Sequence, residues 1–136
     1  MPDTIRRADY YYVTAPDKPG EGARIFGALR DGGVNLLAVH AFPSARKTQI
    51  DVVPADAVAF LAAARNAKLK LSKPKTVFLI EGDDRVGAMA GTLSRLGAAG
   101  INVTAVSAVR TGPGRYGGLL WVKPKDVRKA AETLGA

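Results

Sequence analysis

The chain has 136 residues, of which 47% are hydrophobic, and it carries a formal net charge of +8 with no cysteine and a single histidine, His40. These counts exclude disulfides, thiolate chemistry and cysteine-ligated or histidine-based metal sites, so we expect neither a metal nor a cofactor. No apolar run reaches the roughly 18 residues of a membrane span and the first ten residues lack a signal-peptide core, so we expect a cytoplasmic chain with no membrane contact.

The positive charge suggests one class of partner, because a basic surface can attract nucleic acid or acidic ligands. The basic residues are however spread over several short stretches, including residues 68–75 and 110–115. Such stretches are typical of solvated faces and hairpin tips, so we do not expect nucleic acid as the partner.

An internal repeat organises the chain. Six pairs of identical residues are separated by the same 67 positions (84 − 17 = 67): Asp17/Asp84, Gly20/Gly87, Ala23/Ala90, Leu29/Leu96, Gly33/Gly100 and Asn35/Asn102. Two later pairs, Pro54/Pro124 and Asp56/Asp126, are separated by 70 positions (126 − 56 = 70). We place the three additional residues of the second copy in the turn-rich segment 111–115.

Both copies predict the same elements in chain order. The first is expected to form a strand (9–15), a helix ending at Gly32-Gly33, a strand pair (34–42 and 48–53), a helix from Pro54 with apolar Ala57, Phe60, Leu61 and Ala64, and a short strand (68–71). The second is expected to form a strand (76–81), a helix with Val86, Met89, Ala90, Leu93 and Leu96 at helical spacing, a strand pair (101–110 and 117–122) and a helix after Pro124.

The order β-α-β-β-α-β is that of a ferredoxin-like α+β unit, with two helices on one face of an antiparallel sheet. We therefore predict an N-terminal arm (residues 1–8) and two such units in tandem, at residues 9–73 and 74–136. The last strand of the second unit is missing from the pattern, which would leave an exposed sheet edge. Such edges promote association. We expect either the arm or a second chain to cover it, and we expect a homodimer.

Short motifs at two places in each copy resemble those of ACT domains. That family carries a D-x-P-G turn before its first helix and a G-[IV]-N at the entry to its second strand; the first copy has Asp17-Lys18-Pro19-Gly20 and Gly33-Val34-Asn35. The second copy keeps Gly100-Ile101-Asn102 but has Val86 where proline is usual. The resemblance, which spans residues 9–134, implies a tandem ACT-domain protein that binds effector amino acids between paired domains.

The resemblance also implies which residues contact the ligand: Ala15, Asp17, Lys18, Pro19, Gly20 and Asn35 in the first copy, and Asp84, Gly87 and Asn102 in the second. The chemistry of these residues suits a zwitterion. A helix N-terminus attracts a carboxylate, an aspartate attracts an ammonium group, and an asparagine offers both a donor and an acceptor. A purely structural interpretation is also open, in which the aspartates cap helices and the glycines and asparagines only shape turns.

We thus predict a non-catalytic regulatory module with a small-molecule effector, and with a regulated enzyme as a further partner. No catalytic set of side chains and no phosphate-binding loop are recognisable in the sequence. One alternative is a basic ferredoxin-like RNA-binding protein, with Tyr10, Tyr11, Tyr12 and Trp121 as stacking residues. The other is an acylphosphatase-like enzyme, for which Arg85 is the matching arginine.

Overall fold

The computed structural model describes residues 3–136, which form six strands, four α-helices and one 3-10 helix. The strands are β1 (Thr4–Pro16), β2 (Leu36–Ser44), β3 (Lys47–Pro54), β4 (Lys75–Asp83), β5 (Val103–Gly112) and β6 (Arg115–Val122). The helices are α1 (Glu21–Asp31), α2 (Ala57–Asn66), α3 (Ala90–Ala98) and α4 (Val127–Leu134), with the 3-10 turn at Pro124–Asp126. The predicted α+β class is confirmed. Among these residues no helix has the length and hydropathy to cross a membrane.

The chain forms two compact units. The first unit is Asp9–Lys75, and the second unit is Thr76–Ala136 together with the N-terminal arm up to Ala8. Strand β1 therefore contributes its first residues to the second unit and its later residues to the first.

In the first unit, β3 lies between β2 and β1 and pairs antiparallel with both. Side chains alternate across β1 because the period of a strand is two residues, so one parity faces the helices. Tyr11 has that parity, and its ring lies 5.0 Å from the ring of Phe60 on α2. The same core contains Ile25 and Leu29 of α1, both almost fully buried, which fixes α1 and the loop before it on the sheet.

The predicted short strand at residues 68–71 is wrong. Only Leu71 makes a bridge to β1, opposite Val13, and the next residue continues the contact through the Ser72 hydroxyl, which accepts the Tyr12 N–H at 2.9 Å. Lys68 has a φ of +57°, a left-handed conformation that interrupts extended backbone. The first unit is thus closed by a single bridge rather than a strand.

In the second unit, β6 lies between β5 and β4. The next neighbour of β4 is β1, whose first residues belong to this unit. Ile5 of that segment packs against the core formed around Phe78, Leu96 and Leu120. The N-terminal arm therefore covers the edge left by the missing last strand.

The prediction that all three additional residues of the second copy lie in the β5–β6 hairpin is wrong. Phe78 pairs with Leu120 as Tyr11 pairs with Val52, so β6 follows β3 by 68 positions (120 − 52 = 68). The helices α2 and α4 differ by 70 positions (127 − 57 = 70). One residue is therefore added in the hairpin and two are added before α4, where the 3-10 turn Pro124–Asp126 forms.

The predicted C-terminal ends of α1 and α3 agree with the structure better than the predicted buried residues of the helices do. Gly33 and Gly100, which follow α1 and α3, have φ values of +72° and +73°, as predicted for left-handed glycines at helix C-termini. Helix α3 however begins only at Ala90, which leaves Val86 outside the helix and fully exposed. Leu61 on α2 is 40% exposed, because the buried face of that helix consists of Phe60, Ala63 and Ala64.

Candidate functional site

The loop before α1 presents a helix N-terminus to solvent. Gly20 is the N-terminal cap residue, and its φ of +90° is energetically unfavourable for any residue with a Cβ. No side chain caps the helix. The N–H groups of a first helical turn have no acceptors within the helix and carry the positive end of its dipole. Lys18 and Pro19, which precede Gly20, are exposed. The loop can therefore approach an anionic ligand with its backbone.

Asp17 does not cap α1. Its carboxylate accepts a hydrogen bond from the Thr48 hydroxyl of β3 at 3.2 Å, which holds the exposed side chain beside the loop. Ala15 is 2% exposed and its methyl group belongs to the helix-side core, so only its backbone is available to a ligand.

Asn35 lies at the other end of the same sheet. Strand β1 reaches the start of β3 with Pro16 opposite Lys47, whereas β2 begins beside the end of β3 with Leu36 opposite Pro54. At about 3.3 Å per residue, the eight residues of β3 separate Asn35 from the Asp17 loop by roughly 25 Å. The structure does not bring the two predicted parts of the site together within one unit.

The second unit has a different loop. Asp84 forms an ion pair with Arg110 of β5 at 3.0 Å, and Gly87 has a φ of +72° but precedes α3 by three residues. Asn102 is exposed and directly precedes β5, as Asn35 precedes β2. Gly87 is therefore not at a helix N-terminus, unlike Gly20.

The same loop contains an arginine that the sequence analysis did not place in the ligand site. Arg85 contacts the Asp3 carboxylate with both terminal nitrogens, Nη1 to Oδ1 at 3.1 Å and Nη2 to Oδ2 at 3.3 Å. It also donates to the carbonyls of Asp83 at 2.8 Å and Ala88 at 3.3 Å. No local pattern could have indicated this contact, because 82 positions separate the two charged residues.

The Asp3 carboxylate is placed against a buried tyrosine. The Asp3 side chain is 8% exposed and Tyr116 of β6 is 5% exposed. Burial acts to raise the pKa of Asp3, but the hydrogen bond from Arg85, the Tyr116 hydroxyl and nearby cations outweigh it, so that the pKa lies below its usual value of 3.8. Burial, and then the Asp3 carboxylate, raise the pKa of Tyr116 above 10.0.

The first unit has a polar group on the sheet face opposite its helices. Asp51 of β3 is 5% exposed, lies opposite His40 of β2 and Tyr12 of β1, and accepts a hydrogen bond from Gln49 at 2.9 Å. Burial raises the pKa of Asp51, although the Gln49 hydrogen bond and the nearby His40 and Lys75 act against it.

Three of the four aromatic residues considered for RNA binding are buried, and the fourth, Tyr12, is half-buried with the Lys75 ammonium group 5.6 Å from its ring centroid. Tyr10, Tyr11 and Trp121 are between 6% and 8% exposed, so their faces are not available for stacking with bases. Residues 3–136 also contain no cluster of three metal-ligating side chains.

No protein-family model matches this chain, and no curated protein matches it in sequence. Solved structures do resemble it. Protein BT0572 from Bacteroides thetaiotaomicron superposes with a TM-score of 0.81 at 18% identity, covering 96% of this chain and 88% of that one. The regulatory subunit of aspartate kinase from Thermus thermophilus gives 0.63 at 15% identity, covering 99% and 95%. An aspartokinase structure with alpha and beta subunits gives 0.61 at 19% identity, covering 98% and 95%.

Proposed function

We propose that this chain, which has the ACT-domain fold, is a non-catalytic regulatory module of the cytoplasm that binds an amino acid. Two observations support the proposal. Its structural relatives include the regulatory subunit of an enzyme of amino-acid chemistry, aspartate kinase. The loop of the first unit also combines a helix N-terminus at Gly20 with an exposed aspartate, Asp17, and this loop is the observation on which the proposal mainly depends.

The loop matches the two charges of a zwitterion. The α-carboxylate would accept hydrogen bonds from the N–H groups after Gly20, where the helix dipole favours negative charge. The α-ammonium group would lie against the Asp17 carboxylate, which Thr48 already orients. An ammonium–carboxylate contact strengthens as the ligand excludes water from it.

Asn35 would contact the same ligand from a second protomer. Strand β2 is at the end of the sheet order, and its sequence from Leu36 to Ser44 contains no lysine, arginine, aspartate or glutamate that would oppose pairing. Leu37 and Val39 on this strand are 46% and 43% exposed. Antiparallel pairing of two β2 strands about a two-fold axis would place the Asn35 end of one protomer beside the Asp17 end of its partner. We therefore propose a homodimer with ligand sites that each protomer helps to complete.

Regulation would follow from this arrangement. A ligand that contacts two protomers binds the paired state more tightly than the separated one, so it shifts the population toward pairing. An enzyme that recognises one of these two states would then respond to the amino acid. The second unit would contribute mainly to assembly, since its loop lacks a helix N-terminus at Gly87.

Thermal shift followed by calorimetric titration with the twenty amino acids tests the proposal. We expect at least one amino acid to raise the melting temperature and to bind with saturation. The Asp17→Asn variant should weaken that binding about tenfold, the effect of losing one charge-assisted contact of about 1.5 kcal/mol. Glu132→Gln, at an exposed carboxylate on α4 of the second unit, is the control and should bind as the wild type does. Failure of all twenty to bind would contradict the proposal.

A further inference from the structure

We propose that Gly82, Arg85 and Tyr116 form a carboxylate-binding site in the second unit, that Asp3 of the chain's own N-terminal arm fills it, and that small carboxylates compete with Asp3 for it. This site is separate from the amino-acid site proposed for the first unit. The two are tested with different probes on different residues.

Backbone carbonyls of the loop itself help to orient the arginine of this site. The Arg85 guanidinium donates to the carbonyls of Asp83 and Ala88 on its own loop, at 2.8 and 3.3 Å, which fixes the direction of its remaining donors. Those donors make a two-point contact with the Asp3 carboxylate, from Nη1 to Oδ1 and from Nη2 to Oδ2. A planar fork of this kind matches the geometry of a carboxylate, and an arginine held in place loses little freedom on binding one.

A glycine makes room for the carboxylate. Gly82 is buried in β4, and a Cβ at this position would collide with Oδ1 of Asp3 and approach the Tyr116 ring at 3.0 Å. Its φ is not in the left-handed region, so the backbone itself does not require glycine. The space beside Gly82 is therefore the reason that a carboxylate can lie between Arg85 and Tyr116.

The first unit has no such space at the equivalent position. Gly82 pairs with Tyr116 as Ala15 pairs with Thr48, so Ala15 places a methyl group where Gly82 leaves a gap. Lys18 stands where the second unit has Arg85, and it lacks the planar fork. The carboxylate site is thus a property of the second copy, whose loop also departs from the motif of the first.

Asp3 satisfies one donor of the site only poorly. The buried Tyr116 hydroxyl lies close enough to the Asp3 carboxylate to act on its pKa, but no acceptor among the described residues, Asp3 included, has the distance and angle of a full hydrogen bond with it. Asp3 is attached to the backbone of the arm, which limits how its carboxylate can turn. A free carboxylate has no such attachment and can accept from both Arg85 and Tyr116. It can therefore compete with Asp3 for the site.

Acetate is the probe, titrated into ¹⁵N-labelled full-length protein at pH 7 with sodium chloride as the ionic-strength control. The Asp3→Ala variant should give saturable shifts of the Gly82 and Arg85 amides and of the Arg85 side-chain Nε–H. Its apparent affinity should exceed that of the wild type by at least about tenfold, because a site filled by Asp3 is available to acetate only for a small fraction of the time. Thr4→Ala, which removes the next exposed side chain of the arm but keeps Asp3, should behave as the wild type does.

Two further variants in the Asp3→Ala background identify the donors. Adding Arg85→Gln should abolish the saturable shifts, and adding Tyr116→Phe should weaken acetate several-fold. Asp3→Asn keeps the shape of the side chain and serves if Asp3→Ala does not fold, with an acetate affinity again above that of the wild type. The proposal is overturned if the folded Asp3 variants bind no acetate, if they bind it no better than the wild type, or if Arg85→Gln leaves binding unchanged. Any of these results would show that the Asp3–Arg85 ion pair only holds the N-terminal arm against the second unit.

Discussion

Asn35 and Asp17 lie at opposite ends of one sheet, separated by the length of β3. In sequence they are only 18 positions apart (35 − 17 = 18), and we propose that both contact the same ligand. A single small ligand that contacts an Asp17 and an Asn35 must therefore contact these residues in two different protomers. This relationship is the reason that we connect ligand binding to pairing of protomers.

A charge on the β2 edge should weaken pairing and ligand binding together. Val39→Lys would bring a lysine from each protomer to the proposed pairing edge, so we expect a monomer in sedimentation velocity and at least tenfold weaker amino-acid binding in calorimetry. Val58→Lys is the control, because Val58 is an exposed valine on α2, away from the strand. A monomeric Val39→Lys variant with full affinity would contradict the shared site.

The two glycines at the start of α1 should respond to alanine in opposite directions. Gly20→Ala forces a φ of +90° on a residue with a Cβ and should lower the free energy of unfolding by about 1–2 kcal/mol. Gly22→Ala lies inside the helix with open space around the new methyl group and should raise that free energy by up to about 1 kcal/mol. Urea denaturation measures both. A gain in Gly20→Ala would show that the cap does not need its left-handed conformation.

The aspartates that begin the second helices differ in their effect on stability. The Asp56 carboxylate accepts the backbone N–H groups of Val58 at 2.9 Å and Ala59 at 3.3 Å, whereas the equivalent Asp126 makes no side-chain cap. Asp56→Ala should therefore lower the free energy of unfolding by about 1 kcal/mol. Asp126→Ala should change it by less than about 0.5 kcal/mol. Chemical denaturation measures the free energy of unfolding of both variants. Equal decreases in the two would contradict this difference.

Asp51 should make the protein less stable as the pH rises. Burial raises its pKa in the folded state above 3.8, so the folded protein holds the proton more tightly than the unfolded chain does. The contribution of the Asp51 proton to the free energy of unfolding is fully present below about pH 3.8 and is lost as the pH rises through the raised pKa. Asp51→Asn keeps an acceptor for Gln49 and removes this loss, so its stability relative to the wild type should increase between pH 4 and pH 7. The free energies of unfolding of both proteins are measured by denaturation at each pH. A difference between them that stays constant from pH 4 to pH 7 would exclude the effect.

The features that the sequence predicted are those with local causes. Gly33 and Gly100 follow helices that end where a left-handed residue is needed, and the alternation around Tyr11 follows from the period of a strand. The two motifs of the proposed site are likewise short and local. Their relative placement could not be predicted, because it depends on which residues of β1, β2 and β3 are paired, and a motif carries no information about register.

The contacts that the sequence could not predict join distant segments. Asp3 meets Arg85 only because the N-terminal arm lies beside β4, and the open edge had two possible occupants. The short strand expected at residues 68–71 is reduced to one bridge at Leu71, after a left-handed residue at Lys68.

Amide chemical shifts during titration with the amino acid identified by calorimetry test the central claim most directly. We predict that the Gly20 and Glu21 backbone signals and the Asn35 side-chain NH₂ signals move together and saturate at one concentration. In Val39→Lys, which separates the protomers, the Asn35 signals should no longer move with those of Gly20. Saturable shifts confined to residues outside the Asp17 loop, or no shifts with any of the twenty amino acids, would contradict the account.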